Sequence, residues 1–502
     1  MSSIRVTYSG LISFAVGIGS IITGTVFTLI VTRQLSVEEF GTWNLIGSIV
    51  AYMLLLESPI FFWITREIAR DVKSAKTAII TSGTFSSIGM LVYVIVAYMI
   101  GQQSNADISM MIFALILVPV NLLNHTITGI NVGWKPHVAS YGFIATEISK
   151  IPIALLLIYY MDLGILGVII TTVLSYLASI IIQLYFAKPK LMNRFETKFV
   201  KKWLRLSWIA LFKDIPGTLY VSDVVIFSTI TGNVAGIAYI TAGRTIGNLV
   251  RHSGRISTAI YPKMLAGGKR EYLQENLIRT LYFAFPTIAF SITFAKPGLF
   301  ALNPEYMVAS SIVIFLAFRT FFSTLNRIFR SSLQGIDKVD ISEESNFRDY
   351  LKSSLVVLPT VRIIQYSSYV ILLASGLYLL VQQNSSQLEL IQYWAIIAVL
   401  IEIPFTIYFS ILIRRNFNLK LNYIEIGKYC LASLISFAIA FVLMENFLEY
   451  NESIFIFLPN LLLYIIIAIS IYFSLTYCID KKTRSLFKSV INELLKRNNS
   501  KK

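Results

Sequence analysis

Residues 222–248 read SDVVIFSTITGNVAGIAYITAGRTIGN. Asp223 and Arg244 are the only charged side chains in this run, and the rest of it would be at home in hydrocarbon. Gly232 and Asn233 interrupt it near the middle, where they suit a turn. The apolar character continues on both sides, over 206–230 and 235–256. Each arm is long enough to cross a bilayer as a helix of about 20 residues. The stretch is thus predicted to be a helical hairpin in lipid, with its turn at one surface. Asp223 lies about nine residues before the turn and Arg244 about eleven after it, so both sit roughly 15 Å below that surface. A charge at that depth costs several kcal/mol unless it meets a partner or a wet cavity, which makes both residues functional candidates.

The remainder of the chain repeats this pattern. Of 502 residues 56% are hydrophobic and 14% charged, with a mean hydropathy of +0.69, the composition of a polytopic membrane protein. Fourteen apolar segments are predicted as spans: 9–31, 42–64, 78–100, 109–131, 139–160, 164–187, 206–230, 235–256, 280–300, 308–329, 356–381, 390–412, 426–445 and 454–477. Most are far longer than the roughly 10 alternating residues of a barrel strand, so the fold class is all-α. The first run, Tyr8 to Val31, lacks a small-residue cleavage site and is read as a retained helix. Cys430 and Cys478 both lie in apolar runs and form neither a disulfide framework nor a CxxC metal motif. His125, His137 and His252 are scattered, and no GxxxxGK[ST] motif occurs. No metal, nucleotide or other cofactor is expected.

Lys and Arg in the connections set the orientation. With the N-terminus inside, the inner loops carry Arg66, Arg70, Lys73 and Lys76, then Lys135, then seven bases from Lys188 to Arg205, and so on to the tail, while the outer loops hold little beyond Arg33. This asymmetry predicts an even number of spans with both termini in the cytoplasm. The net charge of +16 is accordingly a topology signal. Its scatter over short loops argues against nucleic-acid binding. Segments 194–206 and 486–495 pair an apolar side with a basic one and are expected to lie on the inner leaflet.

Other charges lie at comparable depth: Glu147 with Lys150, Lys213 with Asp214, Glu57, Arg319 and Glu402. Glu147 and Lys150 are placed to satisfy each other at i, i+3. Arg244, Arg319 and Lys150 are the candidate cavity cations, while Asp223 and Glu147 are candidates for gating or pairing. Pairing of Asp223 with Arg244 across the hairpin is the alternative to a functional role for either. SVEEFGTWNLIGSIV, at the junction of spans one and two, can be laid over TGNVAGIAYITAGRTI with Gly41 on Gly236. Six spans separate the two copies, a spacing that predicts halves related by an axis along the membrane normal.

RQLSVEEFGTW, SDVVIFSTITGNVAGIAYITAGR, AIYPKM (259–264) and LFALNPEYMVAS (299–310) together resemble the Wzx-like polysaccharide-transporter family of the multidrug/oligosaccharidyl-lipid/polysaccharide (MOP) exporter superfamily. The resemblance covers about 1–340; later spans match in number and placing only. It implies two six-helix lobes in parallel pseudo-repeat around a central cavity, plus two C-terminal helices. The corresponding divisions are 1–187 and 206–412 for the lobes, 188–205 for a cytoplasmic linker helix, 413–478 for the last two spans and 479–502 for a basic tail. It further implies export of a lipid-linked oligosaccharide by alternating access, with Arg244 as a cavity base facing the lipid's phosphate. Implied partners are that substrate, membrane lipids, a coupling ion (proton or sodium) and glycan-assembly proteins. Relatives that flip peptidoglycan precursor are expected to carry arginines inside the first two helices. Here only Arg33 and Arg66 stand near the helix ends, which argues against that substrate. A cation-coupled drug antiporter, favoured by Asp223, Glu57 and Glu402, and a membrane-embedded glycan polymerase or ligase are the alternatives. The antiporter would need a cavity dominated by carboxylates; the enzyme would be expected to show long acidic or His-rich outer loops, whereas the outer loops here are short and His125, His137 and His252 form no cluster.

Overall fold

The computed structural model describes residues 19, 22–257, 260–265, 267, 270–337, 347–419 and 421–485. The described part is helical, with no strand. Among the described residues ten helices are long and apolar enough to cross a membrane: Val37–Ala69, Ala75–Ser104, Ile108–Trp134, Pro136–Tyr160, Gly164–Leu191, Pro304–Ile336, Ser354–Gln382, Gln387–Phe417, Tyr423–Phe447 and Ile454–Ile479. Arg270–Thr293 and Ala295–Leu302 make an eleventh span if their 66° bend is counted within one crossing. The expected seventh span is the helix Ser207–Thr231, whose Lys213, Asp214 and Asp223 lower its hydropathy. The eighth is α-helical over Ala235–Gly247 and then tightens into a 3-10 helix, Asn248–Ser257. The first expected span is described only in part, and the basic amphipathic segment 486–495 lies outside the described residues.

Local chemistry sets the helix ends. Ser36 caps Val37–Ala69 through a capping box, its hydroxyl accepting from Glu39 N while the Glu39 carboxylate accepts from Ser36 N. Asp107 and Asn422 serve as single caps for Ile108–Phe113 and Tyr423–Phe447. Gly232 ends Ser207–Thr231 at φ +64°, a backbone conformation that glycine adopts without strain.

The chain forms two compact units. One comprises residues 1–241 and 361–393, the other 242–360 and 394–502. In the first, Gly41 lies against the backbone of Val234, so close that a Cβ would fall 2.1 Å from the Val234 carbonyl oxygen. The two turns that resemble each other in sequence are thus packed together, and Asn105 Nδ2 donates to Gly232 O beside them at 2.9 Å. At the opposite end of this unit the helix Thr197–Arg205 buries Phe199 and Trp203 among Ile60, Ile64, Ile68 and Ile130, while Lys202 binds Glu67 at 2.8 Å. Phe195 and Leu204 remain exposed. The apolar side of this segment therefore faces protein as well as the surroundings.

In the second unit Phe294, Phe437 and Phe457 pack at the bend after Thr293. Tyr282, Tyr429 and Tyr472 form a further cluster, in which the Tyr472 hydroxyl donates to Tyr282 O at 2.6 Å. With no hydrophobic drive between helices in lipid, close packing and such interhelical hydrogen bonds are what hold the bundle together.

Candidate functional site

The second unit carries a cationic site on two packed helices. Gly243-Arg-Thr-Ile-Gly247 is a GxxxG step. Cβ atoms at Gly243 and Gly247 would each come within 3.0 Å of Leu316, so the missing side chains let residues 243–247 lie directly on Ser310–Ile336. Gly254 repeats the device lower down, where a Cβ would meet Arg327 Nη2 at 2.5 Å. Arg244, next to the first glycine, is half-buried with its guanidinium over the ring of Trp394, 5.1 Å from the centroid. Trp394 is itself sealed from solvent. A cation over the face of an indole is attracted by the ring quadrupole, which helps to hold the guanidinium in place. Arg319 is buried on Ser310–Ile336.

Three arginines to which the sequence analysis gave no role lie further along the same segments. Arg251, Arg255 and Arg327 are exposed, and the Arg327 guanidinium lies against Gly254, next to Arg255 in the chain. Asn248 binds both helices, accepting from Arg251 Nη2 at 3.2 Å and from the Thr320 hydroxyl at 3.3 Å. A signal was present: Arg251 and Arg255 follow Arg244 by seven and eleven residues, and Arg327 follows Arg319 by eight. Their proximity across helices was not readable from spacing. The buried Glu402 carboxylate of this unit accepts from Asn326 Nδ2 at 2.8 Å.

The first unit holds a cavity of about 490 Å³ lined by Lys150, Glu147, Trp43, Asn124, Tyr176 and Gln183 among others. Lys150 Nζ contacts Glu147 Oε1 at 2.7 Å, and the Thr23 hydroxyl donates to the other oxygen of that carboxylate. The Lys150 charge is therefore matched locally. Another lining residue, His125, bonds through Nδ1 to Glu57 at 2.9 Å and stacks on Phe61. Glu57, fully buried, also accepts from the Thr126 hydroxyl at 2.6 Å.

Asp223, also in the first unit, is completely buried and accepts from the Tyr369 hydroxyl at 2.9 Å. Tyr369 carries no signal in the sequence, since a tyrosine in an apolar run does not reveal its partner. The structure thus brings Lys150 to Glu147, supplies Asp223 with Tyr369, and sets Arg244 and Arg319 on adjoining helices. Among the described residues no group of three or more His, Cys, Asp or Glu side chains is arranged to hold a metal ion.

No protein-family model matches the chain, and no curated protein matches it. Solved structures do. The lipid II flippase MurJ in an inward closed conformation is similar at TM-score 0.65 and 17% identity, over 95% of this chain and 99% of that one. A multidrug resistance MATE family transporter of the MOP superfamily is similar in its inward-facing conformation at TM-score 0.57 and 14% identity, over 79% of this chain and 95% of that one. In its outward-facing conformation such a transporter gives TM-score 0.50 at 16% identity, over 82% and 95%. At these identities the likeness is one of fold. This chain is a multi-pass membrane protein that shares its fold with the lipid II flippase MurJ and these MATE transporters.

Proposed function

We propose that the protein is a flippase that moves an anionic lipid-linked oligosaccharide, a polyprenyl phosphate or diphosphate sugar, across the cytoplasmic membrane for surface-glycan synthesis. The observation that supports this reading is the concentration of Arg244, Arg251, Arg255, Arg319 and Arg327 on two helical segments of the second unit that glycines bring into close contact. Phosphate oxygens are matched by guanidinium forks through charge-assisted, bidentate hydrogen bonds. A cavity for a cationic drug would be repelled by the same set. Fold coverage supports the reading as well, since the lipid II flippase spans 95% of this chain and the multidrug transporters 79–82%.

The physical task is to carry an anionic group and a polar glycan past hydrocarbon, where neither is stable unaided, while the prenyl tail stays in lipid. Alternating access between two lobes of six helices each, with both termini cytoplasmic and 188–205 as the cytoplasmic linker, accomplishes it without a covalent step, so no enzymatic activity is assigned. Outward movement of negative charge gains about 2.3 kcal/mol per charge per 100 mV of inside-negative potential. The alternative, a cation-coupled small-molecule antiporter, is favoured by the buried carboxylates Glu57 and Glu402.

Proteoliposomes decide between them. The flippase reading predicts translocation of a fluorescent undecaprenyl diphosphate sugar, accelerated by an inside-negative potential when the probe starts inside, and no uptake of ethidium against a proton or sodium gradient. Gradient-driven ethidium transport without lipid translocation would establish the antiporter instead.

A further inference from the structure

The 490 Å³ cavity of the first unit has a chemistry unlike that of the arginine-bearing segments. Its ionic lining groups are matched within the protein: Lys150 by Glu147, and His125 by Glu57. What remains for a ligand is aromatic surface, from Trp43 and Tyr176, and neutral hydrogen-bonding groups, from Asn124, Ser179 and Gln183. Those three polar side chains form one network across two helices. The Ser179 hydroxyl donates to Asn124 Oδ1 at 2.9 Å, and Gln183 Nε2 donates to Ser179 Oγ at 3.0 Å. Gly142 makes room for this arrangement, since a Cβ there would lie 2.5 Å from Gln183 Nε2.

The network is incomplete. Gln183 is 1% exposed, yet its Oε1 accepts no hydrogen bond among the described residues. A buried acceptor without a donor is costly, and a ligand hydroxyl is the group that would supply one. A pyranose ring presents C–H groups on its faces, which stack on aromatic rings, and hydroxyls around its rim, which pair with amides. It carries no charge that would need a countercharge. We propose that this cavity is the glycan subsite: it takes a neutral sugar ring stacked on Trp43 or Tyr176, with ring hydroxyls bonded to the Asn124–Ser179–Gln183 network. The assignment rests on the flippase reading and concerns the first unit alone.

The test is binding by the whole protein in lipid nanodiscs of two probes, undecaprenyl diphosphate and undecaprenyl diphosphate carrying one N-acetylhexosamine. Wild type should bind the sugar-bearing probe more tightly. Trp43→Ala and Asn124→Leu should each remove about tenfold of that affinity, in keeping with the loss of a stacked ring or a paired amide, and leave the bare lipid unchanged. Trp43→Phe, which keeps an aromatic face, should restore most of the preference and shows that the site, not the fold, was affected. Arg244→Ala should weaken both probes alike. Equal affinity of wild type for the two probes, or parallel losses on both in the Trp43 and Asn124 variants, overturns the glycan subsite while the flippase reading stands. Failure of wild type to bind either probe overturns both.

Discussion

Tyr369 donates its hydroxyl hydrogen to Asp223 Oδ2 at 2.9 Å, with both side chains shut away from solvent at 1% and 0% exposure. This contact ties Ser354–Gln382 to Ser207–Thr231 inside the first unit. Interhelical hydrogen bonds within membranes are worth about 0.6 kcal/mol and at most about 1.7. Tyr369→Phe should therefore leave the protein folded and abundant in the membrane, with a modestly lowered unfolding temperature in detergent. Asp223→Asn retains an acceptor for Tyr369 and should keep partial transport. Complete loss of transport in Asp223→Asn at normal abundance would give the carboxylate a coupling role instead.

Gly41 should be intolerant of any side chain. The Val234 carbonyl stands where its Cβ would be, and backbone cannot move aside as a flexible side chain can. Gly41→Val is expected to cost several kcal/mol and to lower membrane abundance sharply. Gly47, one and a half turns along the same helix with nothing within 4 Å, should accept Ala without loss. Comparable abundance of the two variants would contradict the close packing of Gly41 on the Val234 backbone.

Both termini are proposed to be cytoplasmic. In a background with Cys430 and Cys478 replaced by Ser, single cysteines at the exposed positions Gln103, Asn233, Gln383 and Asn451 should react in intact cells with an impermeant maleimide. Cysteines at the exposed Lys73, Arg194 and Asn418 should react only after permeabilisation. Labelling of the second group in intact cells would invert or break the map.

Acid should loosen the chain beyond the last described span. Burial alone would raise the Asp480 carboxyl, but hydrogen bonds from Thr483 N and Oγ1 and from the Tyr429 hydroxyl outweigh it and hold the group below its ordinary value of 3.8. A carboxylate depressed on folding contributes stability above its unfolded pKa and loses it as pH falls through the folded value. Protease protection of residues 480–485 should therefore persist at neutral pH and decline as the pH drops below about 3.8. Asp480→Asn should lack that acid-dependent step and be less protected already at neutral pH. An unchanged acid profile in the variant would remove Asp480 from the account.

The fold was legible because hydropathy over about 20 residues is a local quantity, and the basic loops add an independent periodic signal. Positions such as Ile108–Trp134 and Ile454–Ile479 follow directly from it. The site was legible only where a charge stood out against apolar neighbours, as Asp223, Arg244, Arg319 and Lys150 do. Arg251 and Arg255 sit where the helix tightens into 3-10 geometry, so their approach to Arg327 does not follow from a 3.6-residue period. Gln183, Ser179 and Asn124 are neutral residues whose network joins positions 55 residues apart, a relationship that arises only when Leu117–Trp134 packs against Gly164–Leu191.

Arg244 carries the central claim, and its truncation tests that claim most directly. In proteoliposomes of matched protein content, the translocation rate of a fluorescent undecaprenyl diphosphate sugar should fall at least about tenfold in Arg244→Ala, the loss expected for a charge-assisted hydrogen bond to phosphate. Arg244→Lys should retain an intermediate rate, because it keeps the charge but loses the planar fork. A wild-type rate in Arg244→Ala, with the protein folded and inserted, would contradict the assignment of this arginine to the substrate's phosphate.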